Sequence, residues 1–189
     1  LSLLNYNLCI YIFVKLSVSF IAEVSSNHHQ SIDRCFAFID KAADIGCEAV
    51  KFQLFKIDQL FTKNVIENNS EIKNRVKWQL PKEFIPEISA RCRQKNILFG
   101  CTPFYLEAIN ELEPYVDFFK IASYELLWLD LIRSCSETSK PLILSTGMAS
   151  IPEITKAIEI SRKANCSDLS LLHCVSGYPT PINQCNLKA

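Results

Sequence analysis

Short apolar runs, each ending in a polar cluster, recur along this chain, and helical periodicity fills the stretches between them. The runs are Val18–Val24 (VSFIAEV), Ala49–Gln53 (AVKFQ), Ile97–Thr102 (ILFGCT), Phe118–Ser123 (FFKIAS), Pro141–Thr146 (PLILST) and Leu169–Val175 (LSLLHCV). Near-continuous apolar runs of this kind read as strands buried on both faces. Within Ser31–Ala43, the residues Ile32, Cys35, Phe36, Ile39 and Ala43 form a helical stripe, with Ser31 placed as its N-cap. Phe84, Ile85, Ile88 and Cys92 share one face of Pro81–Lys95, where Pro81 suits a first turn. Shorter helices are expected at Tyr105–Leu112 and Leu127–Thr138. Ser150–Ala164 opens on a capping box of Ser150 and Glu153, with Ile151, Ile154, Ala157, Ile158 and Ser161 on the inner face. Strands alternating with helices predict a parallel sheet whose chemistry sits at the carboxyl ends of the strands.

One connection breaks the rhythm. Leu54–Gln79 has little periodicity, several asparagines (Asn64, Asn68, Asn69, Asn74) and scattered aromatics. A connection this long in a compact domain is usually a lid or disordered, and its place at a strand's carboxyl end favours a lid.

Length then narrows the architecture. At 189 residues the chain can bury a real core but falls short of the ~250 residues of a closed eight-stranded α/β barrel. By pattern alone it is either an open six-stranded sheet or part of a barrel. An apolar fraction of 49% with 21% charged residues is globular, and 20 basic residues balanced by 20 acidic ones argue against nucleic acid. Nine cysteines are an odd number and form no C-x-x-C pair; Cys35, Cys92, Cys101 and Cys174 lie on apolar faces. They read as small buried hydrophobes in a reducing cytoplasm, and a reactive thiol at Cys101 or Cys174 has no evident partner base. Residues 1–16 are apolar but lack a basic leader and a small-residue cleavage site, so they are expected to be an ill-defined leader, with the folded domain spanning 17–189. Asn5, Asn7, Lys15 and Glu23 interrupt the apolar span, which argues against a membrane helix.

The strand ends supply the candidate chemistry. Lys120 in F-F-K-I-A-S and Lys51 in A-V-K-F-Q are costly in buried strands unless they are paired or point into a cavity. An anion clamp and a Schiff-base amine are the functional readings, a snorkelling strand-end lysine the bland one. Glu23 and Glu125 are acid–base candidates that could equally be surface carboxylates. Ser145-Thr146-Gly147 offers hydroxyls and backbone N–H groups to an anion, and Thr102-Pro103-Phe104 a hydroxyl beside a ring that faces a sugar or caps the core. Asn27-His28-His29 and the remaining histidine, His173, make no complete metal site; a hydrogen-bonded core imidazole is as good a reading of His173 as a ligand.

Taken in order, I-A-E-V-S-S-N-H (Ile21–His28), V-K-F-Q (Val50–Gln53), C-T-P-F (Cys101–Phe104), F-K-I-A-S-Y-E (Phe119–Glu125), L-S-T-G-M-A (Leu144–Ala149) and L-L-H-C-V-S-G-Y-P-T-P (Leu171–Pro181) resemble the sialic acid synthase family. The resemblance implies a TIM (β/α)8 barrel of which this chain holds about six βα units. The last two units and the C-terminal antifreeze-like domain are expected to be absent. It implies condensation of phosphoenolpyruvate with a 2-acetamido hexose to a nine-carbon 2-keto sugar acid with release of phosphate, in the cytoplasm, by a homodimer when full length. It implies a divalent metal, Mn2+ or Mg2+, that polarises the sugar aldehyde, with its two histidine ligands beyond this chain. By the same resemblance Lys51, Thr102, Lys120, Ser123, Ser145 and Ser176 match phosphoenolpyruvate contacts, though Ser176 stands where some members have Asn. Gln53, Phe104, Glu125 and Tyr178 match sugar contacts, and Glu23 a carboxylate at the reacting centre. The family's N-H-x-G turn is here Asn27-His28-His29-Gln30, without the glycine. The chain by itself is expected to show no turnover. The alternatives are a Schiff-base aldolase acting through Lys120 and a non-catalytic ligand-binding barrel fragment.

Overall fold

Each of the six apolar runs contains a strand. The computed structural model describes residues 18–188, and the leader expected at 1–16 lies outside the described residues. The strands are β1 (Ile21–Ser25), β2 (Ala49–Leu54), β3 (Leu98–Pro103), β4 (Phe118–Ile121), β5 (Leu142–Ser145) and β6 (Leu169–Leu172). Between them run α1 (Ile32–Asp44), then α2 (Ile57–Leu60), α3 (Lys63–Asn68), α4 (Ser70–Asn74) and α5 (Ile85–Gln94), then α6 (Glu107–Leu112), α7 (Leu129–Glu137) and α8 (Ile151–Lys163). All neighbouring strands pair in parallel, in the order β1-β2-β3-β4-β5-β6. A doubly wound sheet reverses its strand order at a switch point; a sequential order with a helix after each strand is barrel topology. The fold is therefore of the TIM-barrel class, represented by six strands.

Alternation along the strands sorts the residues into two faces. Val50, Phe52 and Leu54 of β2, Phe99 and Cys101 of β3, Phe119 and Ile121 of β4, and Leu142 and Leu144 of β5 belong to the hydrophobic core with the helices. The register places Glu23, Lys51, Gly100 and Phe118 in one row on the opposite face, with Gln53 beside Thr102 one step on. That face is not closed off: Leu98 is 51% exposed and Leu172 42%. The strands are thus buried on the helix side and partly open on the other, rather than buried on both.

Ser31 caps α1 as expected, its Oγ accepting from Arg34 N at 3.4 Å, and Cys35, Ile39 and Ala42 are buried. In α8 the buried residues are Ala157 and Ser161, with Ile154 and Ile160 packed against the core. Ile151 is 76% exposed, so the first turn carries its side chain to solvent rather than to the inner face. Pro81 precedes a 3-10 turn (Lys82–Phe84), and it is Pro86 that occupies the first turn of α5. The connection after β2 is a strap of the short helices α2, α3 and α4 and a 3-10 turn (Arg75–Trp78). None is long enough to show a helical period in the sequence.

Candidate active site

Lys51 shows what the fold does with a lysine in mid-strand. Its side chain projects from the row it shares with Glu23 and Gly100, where Nζ forms an ion pair with Glu23 Oε2 and donates to Thr102 Oγ1 at 3.0 Å. The residue is only 5% exposed, so pairing to a carboxylate and a hydroxyl is what makes its burial tolerable. Glu23 in turn accepts from Ser25 N through Oε1 at 3.0 Å and keeps its side chain 42% exposed. The carboxylate is fixed and still reachable from the open face.

Lys120 projects from β4, half-buried and without an ion-pair partner among the described residues. Burial holds its pKa below the usual lysine value, and the positive charge of Lys51 lowers it further, while Glu23, Cys174 and Glu125 oppose the shift. Glu125, on the turn after β4, moves the other way: burial raises its carboxyl pKa against the pull of Lys120, and Oε2 has no hydrogen-bond partner. Glu23 balances Lys51, and Lys120 has Glu125 in electrostatic range but no ion pair with it, so the amine of Lys120 is left available to an anion.

A cluster of small groups adjoins the lysines. Gly147 N donates to Ser123 Oγ at 3.1 Å. A Cβ at Gly147 would stand 2.4 Å from Ser176 Oγ and 2.9 Å from Ser123 Oγ, so only glycine lets the two hydroxyls approach the backbone at this point. Ser145 Oγ is buried with no partner. A buried hydroxyl without a partner is uncommon and marks a place for a ligand atom or a water. Thr146 is different: its Oγ1 donates to Leu172 O at 2.9 Å, tying β5 to β6.

The remaining candidates are placed less uniformly. Gln53 lies on β2 beside Thr102. Phe104 packs edge-on against Phe55, with ring centroids 6.1 Å apart. Tyr178 is 91% exposed. His173 is exposed rather than in the core, its Nε2 within 3.0 Å of Cys185 O. His28 is fully buried, its Nδ1 accepting from Gln30 N at 3.0 Å, and burial lowers its pKa. The described cysteines are free, and burial pushes the Cys101 thiol up to about 12, which removes it as a nucleophile. Among the described residues no group of His, Cys, Asp or Glu is arranged to hold a metal ion. By themselves these residues do not fit a metal centre. No described helix is long and apolar enough to cross a membrane. Sequence reading named Gly147 and Gln30 but not what they touch: Ser123 and Ser176 crowd the first, and the second bonds to Val76 and Gln79. The S-T-G triplet hinted at the first, and the glycine-less turn at the second.

A sequential parallel sheet with Lys51, Lys120 and serine hydroxyls at the carboxyl ends of its strands defines an α/β protein of the TIM-barrel class. The chain belongs to the NeuB family, whose model matches residues 38–189. It is 34% identical to the N,N'-diacetyllegionaminic acid synthase of Campylobacter jejuni, over 89% of this chain and 54% of that protein. It is 32% identical to the pseudaminic acid synthase of Helicobacter pylori, over 88% of this chain and 52% of that one. Its fold superposes on the N-acetylneuraminic acid synthetase of Leptospira borgpetersenii, solved with citrate, with a TM-score of 0.80 and 34% identity, over 88% of this chain and 57% of that chain. The chain thus spans about half the length of the curated relatives it matches. Glu23, His28 and Gln30 lie ahead of the family match.

Proposed function

We propose that this chain forms the phosphoenolpyruvate-binding part of a cytoplasmic sialic-acid-type synthase, acting on a 2-acetamido hexose as the second substrate. The reading is carried by one observation: a buried Lys51 paired with Glu23 and Thr102, next to an unpaired Lys120. Lys51 and Lys120 hold the anionic ends of phosphoenolpyruvate. Hydroxyls of Ser123, Ser145 and Ser176 hydrogen-bond to it, Gly147 N–H orienting Ser123 Oγ, with Thr102 reaching from β3. The enol carbon bonds to the aldehyde carbon of the open-chain sugar, whose C=O opens and whose oxygen takes up a proton, leaving a cationic C2. Water adds at C2, and phosphate departs by C–O cleavage. Glu23 touches Lys51 and remains open to the sheet's free face, so it is placed to handle the proton of that water. Glu125, with its raised pKa, offers a hydrogen bond to the sugar, and Gln53, Phe104 and Tyr178 complete the sugar end.

The second reading, an aldolase forming an imine at Lys120, has the depressed pKa of that amine in its favour. It leaves the Lys51–Glu23–Thr102 arrangement and the serine cradle without a task. The deciding experiment is phosphate release from phosphoenolpyruvate by the intact gene product with Mn2+ and a panel of 2-acetamido hexoses. Release requiring one sugar is expected. No release from a folded protein, together with borohydride trapping of a keto acid on Lys120, would replace the synthase by the aldolase.

A further inference from the structure

Gln30 sits in left-handed backbone (φ 53°), directly after His29 in the same region (φ 48°). Glycine adopts this conformation freely and a residue with a Cβ resists it. What the side chain does in return is visible: Gln30 Nε2 donates to Val76 O at 3.0 Å and to Gln79 O at 3.1 Å. The turn beneath is fixed by the buried His28, whose Nδ1 accepts from Gln30 N. Gln79 also closes the strap on itself, since its Oε1 accepts from Ile57 N at 2.7 Å. The turn after β1 and both ends of the strap therefore meet at one small set of amides.

At its start Ile57 of α2 is buried, and the rest of the strap has less to hold it. Neither α3, nor α4, nor the 3-10 turn Arg75–Trp78 buries a residue. Segments with few buried apolar contacts open locally at low free energy, so their tie points decide where they rest. We infer that Gln30 is a positioning residue: a latch that holds the 57–79 strap at the carboxyl ends of β1 and β2, the end that carries Glu23, Lys51 and Gln53. The latch itself is independent of the function proposed above. Its consequence, tighter enclosure of the amino sugar, rests on that reading.

Hydrogen exchange on the intact protein reads the latch without reference to activity. Gln30→Ala is expected to raise exchange several-fold across 57–79 while the amides of β2 to β5 keep their protection. Gln30→Gly removes the same donor while relieving the backbone, so it should loosen the strap without lowering global stability. Gln30→Lys retains donors for both carbonyls and should restore part of the protection. In turnover, Gln30→Ala should raise KM for the sugar several-fold, with KM for phosphoenolpyruvate and kcat little changed. Unchanged exchange at 57–79 in both the alanine and glycine variants overturns the latch, and failure of lysine to restore protection overturns the role of the donor. A loosened strap with unchanged sugar KM overturns the enclosure. A loosened strap in a protein that has no synthase turnover even as wild type keeps the latch and removes only the synthase reading.

Discussion

At Lys120 two effects push the same way, since burial and the charge of Lys51 both disfavour the ammonium. Between the depressed folded value and the ordinary lysine value of 10.5, the unfolded chain binds more protons at this site than the folded one. This group's contribution to stability therefore rises with pH through that window. A bound anion reverses the balance by favouring the charged amine. Phosphoenolpyruvate binding is accordingly expected to take up protons at alkaline pH, measurable by calorimetry in buffers of different ionisation enthalpy. Lys120→Met should abolish the uptake and weaken binding, whereas proton-neutral binding in the unaltered protein would remove Lys120 from the anion site. Gly147→Ala tests the cradle. A Cβ there cannot coexist with Ser176 Oγ and Ser123 Oγ where they stand, so KM for phosphoenolpyruvate should rise by about tenfold, the loss of roughly one good hydrogen bond to a charged group. The lysines were legible in the sequence because a buried charge is conspicuous. The pairing of Lys51 with Glu23 was not, because it depends on a register between β1 and β2 that spacing along the chain does not encode.

Elements with a clear period were readable, and those without one were not. The stripe of α1 and the cap at Ser31 are carried by local chemistry, so sequence and structure agree on them. The strap was readable only as an irregular connection, since helices as short as α2 and α4 give no repeat to detect and their position depends on distant partners such as Gln30 and Gln79. Sheet packing holds a similar hidden dependence. Gly100 pairs with Phe118 across β3 and β4, and a Cβ at Gly100 would lie 2.1 Å from the Phe118 ring. The ring occupies the space a side chain would take. Gly100→Ala should therefore destabilise the intact protein by about 1–3 kcal/mol through overpacking, read from chemical denaturation. Adding Phe118→Leu should recover part of that loss, and a silent Gly100→Ala would show the ring free to move aside.

On the scale of the molecule, the sequential strand order leaves β1 and β6 each with a single neighbour among the described residues. An unpaired parallel edge presents free N–H and C=O groups, and it invites association unless something covers it. The apolar side chains add to this: Phe20 is 63% exposed, Ile21 41%, Leu171 45% and Leu172 42%, all at or beside those two edges. In relatives about twice as long, further chain is available to cover such surfaces; among the described residues nothing covers them. The 189-residue chain produced alone is therefore expected to form ever larger assemblies as its concentration rises and to bind an apolar dye, while the intact gene product keeps one defined stoichiometry and binds no dye. Light scattering after size exclusion would check this directly. The same sheet carries Lys51, Lys120 and the serine cradle within β2 to β6 and their following turns, so anion binding and turnover should separate: the chain alone retains weak phosphoenolpyruvate binding but releases no phosphate with any 2-acetamido hexose. A monodisperse chain with full turnover would mean that these six strands suffice for the chemistry, and the edges would then need another explanation.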